Sequence, residues 1–154
     1  MNKYSETASF YRTALLLGLL PGKKVIEWAE GVIASDSDIP QPFYDLVMIP
    51  SWDITSLRYA LLEICSEAVS SEVLNAILSL VYNDFNTKKR SFNDTMTVLH
   101  QIRQFIKTES SLSEKLIAFE CEYEEAKHNG TIDLFQMKIN DWLGQFSSSK
   151  IIVL

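Results

Sequence analysis

Glycine, proline and cysteine are all scarce in this chain, with five, four and two copies among 154 residues. Few glycines leave little room for a phosphate-cradling loop, and neither a G-x-S-x-G nor a P-loop pattern occurs. Cys65 and Cys121 lie in separate apolar-periodic segments without C-x-x-C spacing. They make no disulfide framework, and a reduced, cytoplasmic setting is the expectation. Long hydrophobic runs are missing as well. The apolar stretch 14–20 is seven residues long, against the roughly 20 that a membrane span needs. It runs into Pro21-Gly22-Lys23-Lys24 rather than a cleavage site, so neither a signal peptide nor a membrane segment is expected.

Positive charge is the next shortage. Fourteen lysines and arginines face 20 acids, a net charge of −6. Residues 1–70 carry 5 basic and 9 acidic groups, 71–110 carry 5 and 4, and 111–154 carry 4 and 7. Most of such a surface repels phosphate backbones, which argues against nucleic acid and favours a basic partner. The basic cluster Lys88-Lys89-Arg90 stands at an expected helix end, where cations complement the helix dipole.

What is abundant is helical periodicity. Phe10, Ala14 and Leu17 recur at i, i+4 and i+7, with Tyr11, Leu15 and Gly18 widening the same face, until Pro21-Gly22 breaks the helix. A second helix from about Lys23 buries Val25, Ala29, Val32 and Ile33, and Gly31 within it suggests a close helix contact. Asp53 can cap a helix carrying Leu57, Ala60, Leu61, Ile64 and Ala68, and Ser71 introduces one carrying Val73, Ile77, Leu80 and Val81. Ser91 starts a helix with Met96, Leu99 and Ile102 inward. Ser111-Leu112-Ser113-Glu114 reads as a capping box before Leu116, Phe119 and Tyr123. His128-Asn129-Gly130 stops that helix, and Phe135, Ile139, Trp142 and Leu143 mark the last one. The sum is an all-α single domain of seven helices, eight if residues 42–48 form a short one with proline in its first turn. Short links favour antiparallel neighbours, stacked helical hairpins among the possible arrangements, and a strand-like tail closes the chain at 151–154.

The least regular stretch, "IASDSDIPQPFYDLVMIPSWD" over residues 33–53, concentrates Asp36, Asp38, Asp45 and Asp53 among three prolines. As a calcium loop opening at Asp36 it fails, because Gln41 replaces the required glycine and Val47 the glutamate. In "ECEYEEAKH", Glu124 and His128 are one turn apart, a weak metal signal without ligands from elsewhere. His100 and His128 have no nucleophile context, and no two carboxylates are singled out for acid–base work. No catalytic residue, metal ligand or cofactor site is therefore expected. The candidate that remains is a protein interface in which aromatics anchor and carboxylates steer. Asp36, Asp38, Phe43, Tyr44 and Asp45 are its expected members, with Glu122 and Glu125 as an alternative face. Trp28 and Trp52 are expected to close the helix layers, and of the consecutive Phe43 and Tyr44, about 100° apart on a helix, one should be exposed.

Within "ALLLGLLPGKKVIEWAEGVIASDSDIPQPFYDLVMI", a Leu17-Gly18-Leu19 turn ends one helix. The next is marked by Val25-Ile26 and Trp28-Ala29-Glu30, and an acidic, proline-containing loop runs from Asp36 to Pro42. That arrangement resembles small helical immunity proteins of bacterial contact-dependent growth inhibition and related polymorphic toxin systems, over residues 14–50. The resemblance implies a cytoplasmic inhibitor that binds the C-terminal domain of one cognate toxin, often a nuclease, and blocks it. It carries over no functional residue. The alternative is a non-enzymatic helical adaptor or regulatory scaffold.

Overall fold

The computed structural model describes residues 3–147, and among them every regular element is an α-helix. In chain order these are α1 (Ser5–Leu16), α2 (Gly22–Ser35), α3 (Gln41–Val47), α4 (Ile54–Leu62), α5 (Ser71–Asn86), α6 (Phe92–Phe105), α7 (Ser110–Asn129) and α8 (Ile132–Gly144). The short helix expected at 42–48 forms as α3, with Pro42 in its first turn where a missing N–H costs nothing. The strand-like tail at 151–154 lies outside the described residues.

Helix ends follow local chemistry, with several differences from the sequence expectation. Asp53 caps α4 by accepting the Ser56 N–H at 3.2 Å, and the Ser91 hydroxyl accepts the Asp94 N–H at 3.1 Å. The cap of α5 is Ser70 rather than Ser71, its hydroxyl accepting the Val73 N–H at 3.2 Å. The Ser111 capping box does not form, because the cap position of α7 falls two residues earlier, at Glu109, and no side chain caps it. α4 stops at Leu62 instead of running to Ala68. Its last turn tightens to i→i−3 bonds from Glu63 and Ile64, and Ala68 stays exposed. α1 ends before Pro21-Gly22 is reached. Gly18 takes φ +68, and the N–H groups of Leu19 and Gly18 return to the carbonyls of Ala14 and Leu15, a Schellman cap.

The chain divides into two compact units, one reaching to Leu74 and the other starting at Asn75. In the first, α1 packs on α4, α2 on α3, and α3 on α4, around Phe10, Phe43, Leu46, Leu57 and Leu61. The close backbone approach lies at Gly22, not at Gly31, which faces open space. A Cβ on Gly22 would stand 2.1 Å from the Ser51 carbonyl oxygen and 2.7 Å from Leu57. In the second unit α6 packs on α7 and α7 on α8, burying Met96, Leu99, Ile102, Leu116, Phe119 and Ile139. Phe92, Phe119, Tyr123, Phe135 and Trp142 form a chain of ring contacts with centroids 5.0–6.3 Å apart. Arg90 folds back on buried Asp84 (Nη2–Oδ2 3.3 Å), so the basic cluster is not simply dipole compensation.

Two substitutions probe this backbone by denaturant unfolding. Gly22→Ala should destabilise by about 1–3 kcal/mol, since a carbonyl cannot yield as a flexible side chain would. Lys88, the one non-glycine residue with positive φ among those described (+58), should gain about 0.5–1 kcal/mol when replaced by glycine, which carries no Cβ penalty there.

Candidate partner-binding surface

The proline-flanked helix α3 has two faces set by its register. Phe43 and Leu46 are fully buried. Phe43 sits 4.9 Å from the Tyr4 ring and 5.2 Å from Trp28, both near edge-on, and Trp28 leans on Tyr11 at 5.1 Å. Phe43 is thus removed from the expected interface, because a ring enclosed in the core cannot touch a partner. Its neighbour Tyr44, rotated about 100° around the helix, is 43% exposed. Met48, one turn further on the same side, is 82% exposed.

Trp52 departs from the expectation as well: it is 79% exposed and closes no helix layer. It stands in the turn between α3 and α4. That turn is held by the Ile49 N–H on the Leu46 carbonyl (3.2 Å), the Asp53 N–H on the Pro50 carbonyl (3.0 Å), and the Ser51 carbonyl lodged against Gly22. Four residues of chain take Met48 to Trp52, a span of at most about 14 Å. That one of residues 43 and 44 faces outward was readable from helical register, but not which one. The exposure of Trp52 was not readable, because that of a turn residue depends on what packs over it.

The four aspartates serve different ends. Asp36 is engaged within the fold. It accepts a hydrogen bond from the Tyr4 hydroxyl, pairs with Lys3 Nζ at 2.6 Å, and receives the Asp38 N–H at 3.3 Å. The Lys3 and Tyr4 hydrogen bonds hold its carboxyl well below the usual carboxylate range. Asp53 is the α4 cap. Asp38 and Asp45 are exposed, Asp45 touching only the Gln41 amide at 3.3 Å. Asp45 therefore lies on α3 beside Tyr44 and Asp38 in the loop before α3, neither paired with a cation among the described residues.

On the alternative face, α7 and α8 run antiparallel and Glu122 takes Lys138 Nζ on both oxygens at 2.9 and 2.7 Å. Glu124 pairs with Lys127 at 2.8 Å. Glu120 receives Arg103 Nε at 3.0 Å and shares a hydrogen bond with His100 Nδ1. Burial alone would raise the Glu120 pKa, but those two bonds bring it below its usual value. His100 and Glu120 line a groove of about 360 Å³ between α6 and α7 with Asn93, Thr97 and Tyr123. Sequence reasoning missed this cluster, since its members are 17 to 20 residues apart. It ties the two helices together, the Tyr123 hydroxyl adding a 2.9 Å bond to Asn93. Glu125 is exposed and pairs with no other described residue.

Among the described residues no three histidine, cysteine or acidic side chains converge as a metal site, and no helix is long and apolar enough to cross a membrane. Compared with family models, curated proteins and solved structures, the chain matches none.

Phe43→Ala should destabilise by about 3–5 kcal/mol, the range for a phenylalanine deleted from a packed core, while Tyr44→Ala should leave the unfolding midpoint nearly unchanged. Asp36 and Glu120 have folded pKa values below their ordinary 3.8 and 4.5. Their stabilisation is complete above those ordinary values and is lost as pH falls below them. Thermal midpoints should therefore begin to drop as the pH falls through 4.5 and 3.8 and keep dropping below about 3, because Asp36 keeps its charge well below the usual carboxylate range. Asp36→Asn and Glu120→Gln should each flatten that drop.

Proposed function

We propose that this chain is an immunity protein: a cytoplasmic inhibitor that binds the C-terminal domain of a cognate secreted bacterial toxin and blocks its active site or functional surface. The toxin domain is basic and nuclease-like, and the inhibitor acts by occupancy alone, with no catalytic step, metal or cofactor. The observation that carries this reading is the outward set Tyr44, Met48 and Trp52, with exposed Asp45 on the same helix and exposed Asp38 in the loop before it, on and beside the segment that bears the resemblance. Large aromatics and methionine are enriched at interface centres, and a turn held by its backbone loses little entropy on binding. Net charge of −6 supports fast association with a basic domain.

The two halves of the surface separate kinetically. Trp52→Ala should raise the dissociation rate and cost at least about 2 kcal/mol of affinity. Asp38→Asn with Asp45→Asn should chiefly slow association and weaken its salt dependence. The assay is growth protection and surface-plasmon kinetics against the toxin domain encoded beside this gene. Glu122→Gln with Glu125→Gln should leave protection intact. Full protection by a chain lacking Tyr44, Met48 and Trp52 side chains would overturn the assignment of this surface. Absence of any complex with the neighbouring gene's product would overturn the immunity reading and favour the scaffold.

A further inference from the structure

Two more large apolar side chains face solvent on α8, Leu134 (68% exposed) and Met137 (64%), three residues apart on its outer face. They form a ridge with a groove on either side. The groove of about 340 Å³ toward α7 is lined by Glu122, Glu125, Leu134 and Lys138. The one toward α5, about 480 Å³, is lined by Lys88, Asp133 and Met137. One patch thus carries both a knob and the hollows to receive one, the condition for a contact between identical surfaces.

The charges on the two flanks are unlike. Glu125 on the α7 side and Lys88 and Asp133 on the α5 side pair with no other described side chain. Glu125 and Lys88 also stand within about one helical turn of each other along α8. On one side Glu122 meets Lys138, which places Glu125 beside Leu134. On the other, Asn86 bonds Asn140 at 2.9 Å and Tyr82 lies against Gly144. α5 is therefore antiparallel to α8 and brings Lys88 toward Asp133 and Met137.

We infer that this face binds a second copy of the chain, with the two α8 helices parallel about a two-fold axis running along them. In that arrangement each α7 flank faces the α5 flank of the other copy. Glu125 then meets Lys88 of the second copy, and Leu134 and Met137 pack across the axis. The antiparallel alternative sets Glu125 against Glu125 and Lys88 against Lys88, which like-charge repulsion disfavours. The inference stands apart from the toxin reading, whose residues lie on α3 and the turn after it.

A ridge of two apolar side chains per copy is small beside the roughly 1,000 Å² of a stable interface, so association is expected in the range of tens to hundreds of micromolar. Sedimentation equilibrium of the full chain should show its mass rising with concentration from 17.6 kDa toward twice that. Leu134→Ser with Met137→Ser should weaken association at least about tenfold. Glu125→Lys or Lys88→Glu alone should do the same, since each creates two like-charge contacts. An equimolar mixture of those two single variants should regain wild-type association as a heterodimer, both of its charge contacts being attractive. Circular dichroism should be unchanged in all of them, the positions being exposed. A constant 17.6 kDa mass at every concentration, a dimer indifferent to positions 134 and 137, or a mixture no stronger than its components would each overturn the proposal.

Discussion

The burial of Phe43 between Tyr4 and Trp28 is the contact on which the outward face of α3 depends. Edge-on aromatic pairs add about 0.5–1.5 kcal/mol each beyond the area they bury, and here they join the first turn of the chain, α2 and α3. Once Phe43 is enclosed, the helical repeat leaves Tyr44, Asp45 and Met48 no direction but outward. The clasp of Lys3 and Tyr4 on Asp36 closes the same corner. The Ser51 carbonyl against Gly22 fixes the turn that displays Trp52. A core contact and a backbone contact thus set which way Tyr44, Met48 and Trp52 face.

Pairing sorts the acidic residues more sharply than their abundance does. Asp36, Asp53, Glu120, Glu122 and Glu124 each answer a cation, a hydroxyl or a backbone N–H, and their charge is neutralised within the fold. Asp38, Asp45, Glu125 and Asp133 are among the acids that pair with no cation among the described residues. The net charge acts at long range, while pairing is a short-range property of individual side chains. Of these, Asp45 lies on α3 beside Tyr44, Glu125 on the α7 flank of α8, and Asp133 on α8 itself.

The helices themselves were legible from the chain, because periodicity at i, i+3 and i+4 is a local property and α-helices satisfy their backbone bonds locally. Asp53 and Ser91 were readable as caps for the same reason. The Ser111 capping box and the extension of α4 to Ala68 do not form, because several residues near a helix end offer equivalent local solutions and packing chooses among them. The His100–Glu120–Arg103 cluster left no local trace at all.

The all-α class, the acidic balance and the division of α3 into an inner and an outer face follow from sequence alone, since each depends on composition or on residues within a turn or two of one another. Which of Phe43 and Tyr44 goes inside, which aspartates stay unpaired with a cation, and that Trp52 stands in solvent were decided by tertiary structure. Each of those outcomes requires a partner from a distant part of the chain: Tyr4 and Trp28 for Phe43, Lys3 for Asp36, and Gly22 for the turn that carries Trp52. Burial and charge pairing are relations between surfaces, and surfaces exist only after the helices have packed.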